Sequence, residues 1–456
     1  MKKLLFPFVA IVFSTFLYSF VSNQKPIESV NSNYHKRISA FEKSFLKLKP
    51  LVLALDTTQE KFDQLRIEFV NARLDYKRIE YLLEHQSPQL VKDAFNGPPF
   101  LKLARNVAGV EIQEPTSLQY LEEAIFDDIS SENIAKIKQR FFKIEENLQS
   151  LSFIKKQALT DRIFYEALRS GIIRVFSLGL AGFDVLGSGN QLGECKASWE
   201  AMKNDWNDYI NKSSFKKEGK SISNLFAKGL ATLDKVQDFD EFDRLGFLRE
   251  IANPLFEELL VFHLKTGVET LDEVARMPIS INYLTKSFLN EKYYNQFYAS
   301  SLRKDDPLMK EKIELGKMLF FDPVLSSNNQ RSCASCHNPQ KAFTDGRAKS
   351  IAFDFKGTVD RNSPTVINAA ISTRQFWDMR ASILEMQSEH VITSAKEFNH
   401  DYVSLFEKLN QSHEYLKLFQ NSFPKSAPNA ITKDNFSQAL AAYVGSLTSF
   451  NSPFDK

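Results

Sequence analysis

Cysteine is scarce in this chain: three residues in 456, two of them three positions apart (Cys333, Cys336) and the third, Cys195, alone. With no pair to spare, a disulfide framework is excluded, and Cys195 reads as a small buried hydrophobe. An excess of charge of one sign is also missing. Lys and Arg number 58 against 56 Asp and Glu, a net +2, so nothing predicts a nucleic acid or other polyanion partner. Gly and Pro number only sixteen each, against a 43% hydrophobic composition, which excludes fibrous and disordered classes. There is no internal repeat, no low-complexity tract and no convincing strand pattern. Long apolar runs are missing too, with one exception at the N-terminus.

That exception is Leu4 to Val21, preceded by Lys2 and Lys3 and interrupted only by Ser14, Thr15 and Ser19. A short positive region followed by an apolar one reads as an export signal. At 18 residues it would equally span a bilayer as an uncleaved anchor. We expect residues 1–24 to be a signal peptide or anchor, cleavage being the stronger reading, and the chain to work in the periplasm. A length of 456 residues exceeds one ordinary core, so more than one domain is expected. The forty phenylalanines, many at helical spacing, read as core.

Apolar residues at three- and four-residue steps predict helices through residues 28–290. They include Phe62–Leu83, Ser117–Phe126, Ser131–Leu151, Lys155–Leu178, Ser221–Leu233, Phe239–Thr266 and Val268–Ala275. Asn96-Gly97-Pro98-Pro99 and the Gly-rich stretch from Gly182 to Gly193 read as breaks. Residues 25–290 are therefore expected to form an antiparallel helical bundle, and residues 291–304 a linker. From 305 to 456 the character changes. Short helices (Met309–Leu319, Ile383–His390, Tyr402–Leu409, Glu414–Phe419, Lys433–Ser449) alternate with long loops containing Pro323, Pro339, Gly346, Gly357 and Pro364. Loops of that length in a compact domain suggest a buried cofactor around which they wrap.

The cofactor is named by Cys333-Ala334-Ser335-Cys336-His337. This C-x-x-C-H spacing lets two thiols add to the porphyrin vinyl groups while the adjacent imidazole reaches the iron. A redox dithiol needs no trailing His. A zinc site would want more ligands than the scattered His35, His85, His263, His390, His400 and His413 offer. One covalently attached haem c is expected, held by Cys333, Cys336 and axial His337, and with it redox chemistry.

Several linked strings surround this motif: Glu314-Leu-Gly-Lys-Met-Leu-Phe-Phe-Asp-Pro-Val-Leu-Ser326 before it, His337-Asn-Pro-Gln-Lys-Ala-Phe-Thr-Asp-Gly346, then Arg361-Asn-Ser-Pro-Thr-Val-Ile-Asn-Ala369 and Phe376-Trp-Asp-Met-Arg-Ala381, with Glu397 beyond. Together they resemble the first, peroxidatic haem domain of the bacterial di-haem cytochrome c peroxidase family, which includes the MauG-type enzymes. The resemblance covers about residues 305–455 and implies a mainly α chain, a helical bundle followed by a cytochrome c-like α-helical haem domain. It implies that Glu397 is the general acid/base toward peroxide, that Gln387 holds the peroxide by hydrogen bonds, and that Trp377 is the aromatic residue on the electron path between haems. Asn362 matches a residue near the family's calcium. Hydrogen peroxide would be the substrate, and a small c-type cytochrome or a cupredoxin the electron donor.

The chain departs from that pattern in three places. No second C-x-x-C-H exists, so either the sequence lacks the second haem domain or a separate protein supplies electrons. Residues 338–389 contain no His, so the iron's sixth position is expected open or water-filled. Met379 stands where the family usually has Gly. The N-terminal region is faintly imelysin-like. Ser117-Leu-Gln-Tyr-Leu-Glu122 occupies the place of a Gly-x-His-x-x-Glu motif but lacks its His, so a structural or docking role is expected there. The alternative reading is a mono-haem electron carrier with Met379 or Met386 opposite His337, since Met/His ligation suits electron transfer. In a third reading the bundle senses or binds iron or haem, with the haem domain as its redox partner.

Overall fold

The computed structural model describes residues 25–103, 112–185, 187–277, 279–303 and 305–452. The expected signal or anchor at 1–24 lies outside the described residues. Among them no helix is long and apolar enough to cross a membrane. The described residues are mainly α-helical, with two two-residue strands among them, Lys102–Leu103 and Ile112–Gln113. The chain divides into two compact units. Of the described residues, the first comprises those within 25–101, 113–274 and 283–288, the second those within 102–112, 275–282 and 289–452.

The principal helices of the first unit are α1 (Pro26–Leu46), α2 (Gln59–Gln86), α3 (Leu118–Phe126), α4 (Ser131–Asn147), α5 (Asp161–Arg174), α6 (Gln191–Lys212), α7 (Lys220–Lys235) and α8 (Asn253–Thr266). Helix starts follow local chemistry: Ser117, Ser130 and Thr160 each accept a backbone N–H three residues on, satisfying a donor the helix leaves open. Thr160 also explains why the helix predicted from Lys155 starts later. The predicted helix Phe239–Thr266 is interrupted by a π-turn at Leu248–Ala252, and α8 ends at Gly267 in the left-handed conformation (φ +73°). The largest miss is α6, predicted to begin as a Gly-rich break. It packs against α1, α2 and α7 and buries Trp199 and Trp206 completely. Its inward face also carries Glu194 and Asp205, which hid the periodicity.

Glu194 belongs to a buried polar network, whereas Asp205 pairs with Arg37 and accepts from the Tyr81 hydroxyl (2.5 Å). Arg73 donates to both carboxylate oxygens of Glu194 (2.9 and 2.6 Å), to the Asn96 side chain (2.8 Å) and to the Asp184 carbonyl (2.8 Å). Lys77 pairs with Asp184 and Glu80. Gln119, from the weak imelysin-like string, donates to Asp184 (2.8 Å), and Glu122 accepts the Ser188 amide (2.9 Å). Cys195 is buried, as expected, and burial pushes its thiol well above the usual range. Phenylalanines fill the rest, for example Phe45 stacked on Phe141 at 5.0 Å.

The second unit is built on α9 (Met309–Phe321), α10 (Cys333–Cys336), α11 (Leu384–Thr393), α12 (Tyr402–Gln411), α13 (His413–Ser422) and α14 (Lys433–Ser446). Helices α9 and α14 form its spine. They approach so closely at Gly316 that a β-carbon there would meet the Ala439 carbonyl oxygen at 1.8 Å, so only glycine fits. The core gathers Leu315, Leu319, Phe320, Phe419, Phe436 and Leu440. In the segment read from sequence as a linker, residues 291–304, the described residues 291–303 fall in this unit, and Phe297 and Leu302 are buried with Leu384 in a second apolar cluster.

Candidate haem site

Helix α10 is a single turn, stabilised by a reciprocal cap in which Ser332 and Ser335 each satisfy the other's backbone amide. The turn places the thiols of Cys333 and Cys336 one helical turn apart, both half-buried, and leads directly into His337. Burial pushes the Cys333 thiol up to about 12 and raises that of Cys336.

His337 is oriented by the loop that follows. Ala342 and Phe343 adopt successive left-handed conformations (φ +51° and +59°), which turn the Phe343 carbonyl back onto the ring, 3.1 Å from Nδ1. A carbonyl only accepts, so Nδ1 carries the hydrogen and the Nε2 lone pair is left for a metal. Ser363 Oγ stands 3.4 Å from either ring nitrogen, and the Phe320 ring packs at 6.3 Å. Burial lowers the His337 pKa, keeping the imidazole neutral and ligand-competent. Two thiols on one short helix and a neutral imidazole with a fixed tautomer fit the donor set of a c-type haem.

Glu397 lies close to this motif. Its carboxylate is near enough for its charge to help raise both cysteine thiols, and it is half-buried. Its position is set by a tight return after α11. The Glu397 and Asn399 amides both donate to the Ser394 carbonyl (3.0 and 2.9 Å), with Asn399 left-handed (φ +48°), and the neighbouring Lys396 carbonyl accepts from the Phe353 amide (2.8 Å). Burial raises the Glu397 carboxyl pKa above 4.5, while a hydrogen bond from Ser394 and the charges of Arg380 and Arg331 pull it down.

Gln387 is half-buried on α11, two residues past the buried Glu385 and therefore on the opposite side of the helix. Trp377 is 70% exposed, with the Arg361 guanidinium lying 4.0 Å over its ring. Neighbouring Phe376 is covered by Arg380 at 3.6 Å and met edge-on by His390 at 5.3 Å. Asn362 is exposed, and among the described residues no three of His, Cys, Asp and Glu gather to hold a metal ion. Met386 is partly exposed, its sulfur accepting from Ser382 Oγ (3.4 Å). Sequence reasoning missed Arg331, Arg361 and Ser363, which carry no spacing signal of their own.

Met379 takes a left-handed backbone conformation of the kind that favours glycine. Its φ is +59°, a region that costs a side-chain-bearing residue roughly 1–2 kcal/mol. Met379→Gly is expected to stabilise the second unit by about 1 kcal/mol after the entropic cost of glycine. Chemical denaturation of the two proteins measures it, and an unchanged or lower midpoint would contradict the strain.

Comparison with known proteins agrees with the motif. The family model described as "Di-haem cytochrome c peroxidase" matches residues 310–456.

Over its C-terminal third this chain is similar to the di-haem cytochrome c peroxidase family.

Over 153 residues it is 39% identical to "Methylamine utilization protein MauG" of Methylorubrum extorquens, covering 34% of this chain and 42% of that protein. It is 37% identical to "Cytochrome c551 peroxidase" of Pseudomonas aeruginosa, also over 153 residues, covering 33% and 43%. A crystal structure of "a MauG-like protein associated with microbial copper homeostasis" is 28% identical over 34% of this chain and 45% of that one, with a TM-score of 0.32. The chain thus spans less than half the length of these relatives. Haem c is the cofactor that this match implies for residues 310–456.

Proposed function

We propose that this chain is a periplasmic c-type haem peroxidase that reduces hydrogen peroxide to water with electrons from a small c-type cytochrome or a cupredoxin. The balance is one peroxide, two protons and two electrons to two waters. Cys333 and Cys336 would hold one haem through thioether bonds and His337 Nε2 would ligate its iron. When bound, haem supplies a redox-active iron able to pass two electrons to peroxide.

The observation that carries the reading is Glu397, a half-buried carboxylate beside the attachment motif. Its role is to take a proton from peroxide and return it to the departing oxygen, so that water rather than hydroxide leaves. Gln387 would hold peroxide through its amide, which can donate and accept at once. Trp377, exposed under Arg361, would give electrons a surface route. Asn362 would belong to a calcium site at most through its side-chain oxygen.

The haem-loaded protein, with an artificial or cytochrome donor, is expected to consume peroxide. Since Glu397 must be ionised to accept a proton, and burial raises its pKa above 4.5, kcat/KM should rise with pH through an acid limb displaced above the ordinary carboxylate value. A low-spin spectrum with a Met-to-iron band, indifferent to peroxide, would replace this reading by that of an electron carrier.

A further inference from the structure

Helix α11 contains a buried carboxylate that the proposed chemistry does not use. Glu385 is 7% exposed, and no salt bridge reaches it among the described residues. One oxygen, Oε1, accepts three hydrogen bonds from a single turn: Ser300 Oγ at 2.7 Å, the Ser301 amide at 2.8 Å and Ser301 Oγ at 2.8 Å. The other, Oε2, is buried without a partner. Holding a carboxylate away from water without a cation is costly, and an apolar residue would anchor the helix at lower cost. What a carboxylate adds is direction. Three donors converging on one oxygen fix where that side chain points, and so fix the rotation of the helix about its axis.

Rotation matters because of the residue it would move. Leu384, Glu385, Ser388 and Ile392 form the buried face of α11. Gln387, about 200° on from Glu385 but only about 60° from Leu384, lies half-buried at the edge of that face, so a small rotation of the helix moves it. Other contacts secure the helix without aiming it so sharply: the Leu384 amide donates to the Ala299 carbonyl (2.9 Å), and Ser388 Oγ meets Ser437 Oγ at 3.3 Å. We propose that Glu385, clamped by Ser300 and Ser301, is a positioning residue that sets the orientation of the Gln387 side chain. This rests on the role given to Gln387 above.

The test is a double-mutant cycle in the haem-loaded full chain, read two ways: kcat/KM for peroxide, and the affinity of the ferric protein for azide measured optically. Glu385→Ala is expected to weaken both by on the order of tenfold, since small misplacements of a binding group have effects of that size. Glu385→Gln should recover both to within about threefold, because its amide oxygen accepts the same donors. In a Gln387→Ala background, Glu385→Ala should change either quantity by less than about twofold, the mark of action through Gln387. An equal loss in both backgrounds overturns the proposal, as does a lowered melting temperature with azide affinity unchanged. Should Glu385→Ala fail to accumulate, Ser301→Ala gives the same cycle at smaller amplitude. If the wild type turns over no peroxide, the peroxidase reading falls and the azide cycle alone decides Glu385.

Discussion

Glu397→Gln is expected to lower kcat for peroxide by about two to four powers of ten, the usual share of a positioned general acid/base, while haem attachment and azide binding stay intact. Glutamine keeps the size and hydrogen-bonding ability of the side chain and removes only its capacity to take up and return a proton. The loss should therefore fall on kcat and kcat/KM together, the pattern of a transition-state interaction. The acid limb should vanish in the variant, because the group whose ionisation produces it is gone. Steady-state peroxide consumption across pH, with a reduced donor in excess, measures both effects. A variant retaining more than about a tenth of wild-type kcat would remove Glu397 from proton transfer. A variant as slow as expected but with the acid limb intact would show that another group titrates there. Arg331 and Arg380 act here by opposing the rise that burial gives the Glu397 pKa.

Much of this site is legible in the sequence because its chemistry demands fixed spacing. Cys333, Cys336 and His337 must follow one helical turn, and Ser332 and Ser335 close that turn locally. Glycine at 316 announces a close helix approach, which the Ala439 carbonyl explains. What remained hidden depends on long-range partners. Arg361 over Trp377 and Arg331 near Glu397 lie in loops, where charged residues are common and no period singles them out. Met379 looked like a simple departure from Gly, yet it takes a left-handed conformation that favours glycine. Glu385 was invisible because a carboxylate on a helix normally faces water. Helix α6 was missed for the same reason: Glu194 and Asp205 occupy positions where the periodicity rule expects apolar residues. The rule holds for the phenylalanine-rich helices and fails where a buried ion is matched by a counter-ion over a hundred residues away.

That failure has a measurable consequence in the first unit. Arg73→Leu is expected to destabilise it by about 3–5 kcal/mol, the cost of removing one partner of a buried ion pair. Arg73 is 1% exposed and spends its guanidinium on Glu194, Asn96 and the Asp184 carbonyl, so leucine leaves three buried acceptors short of donors. Burial already raises the Glu194 pKa, and Arg73 is the largest influence opposing it. Without Arg73 the carboxyl takes up a proton more readily, which limits the loss, and Lys77 at 3.8 Å offers partial compensation. The sharper comparison is the double variant Arg73→Leu/Glu194→Leu. With both charges replaced by apolar side chains, most of the penalty should disappear, because the cost lies in the orphaned charge more than in the lost attraction. Urea unfolding followed by tryptophan fluorescence reports on this unit, since Trp199 and Trp206 are buried within it. A single variant within about 1 kcal/mol of wild type would mean that water reaches Glu194 and that the network is solvated. A double variant as unstable as the single would instead place the cost with Asn96 and Asp184, making the wider hydrogen-bond network, rather than the ion pair, the element that fixes α2 against α6.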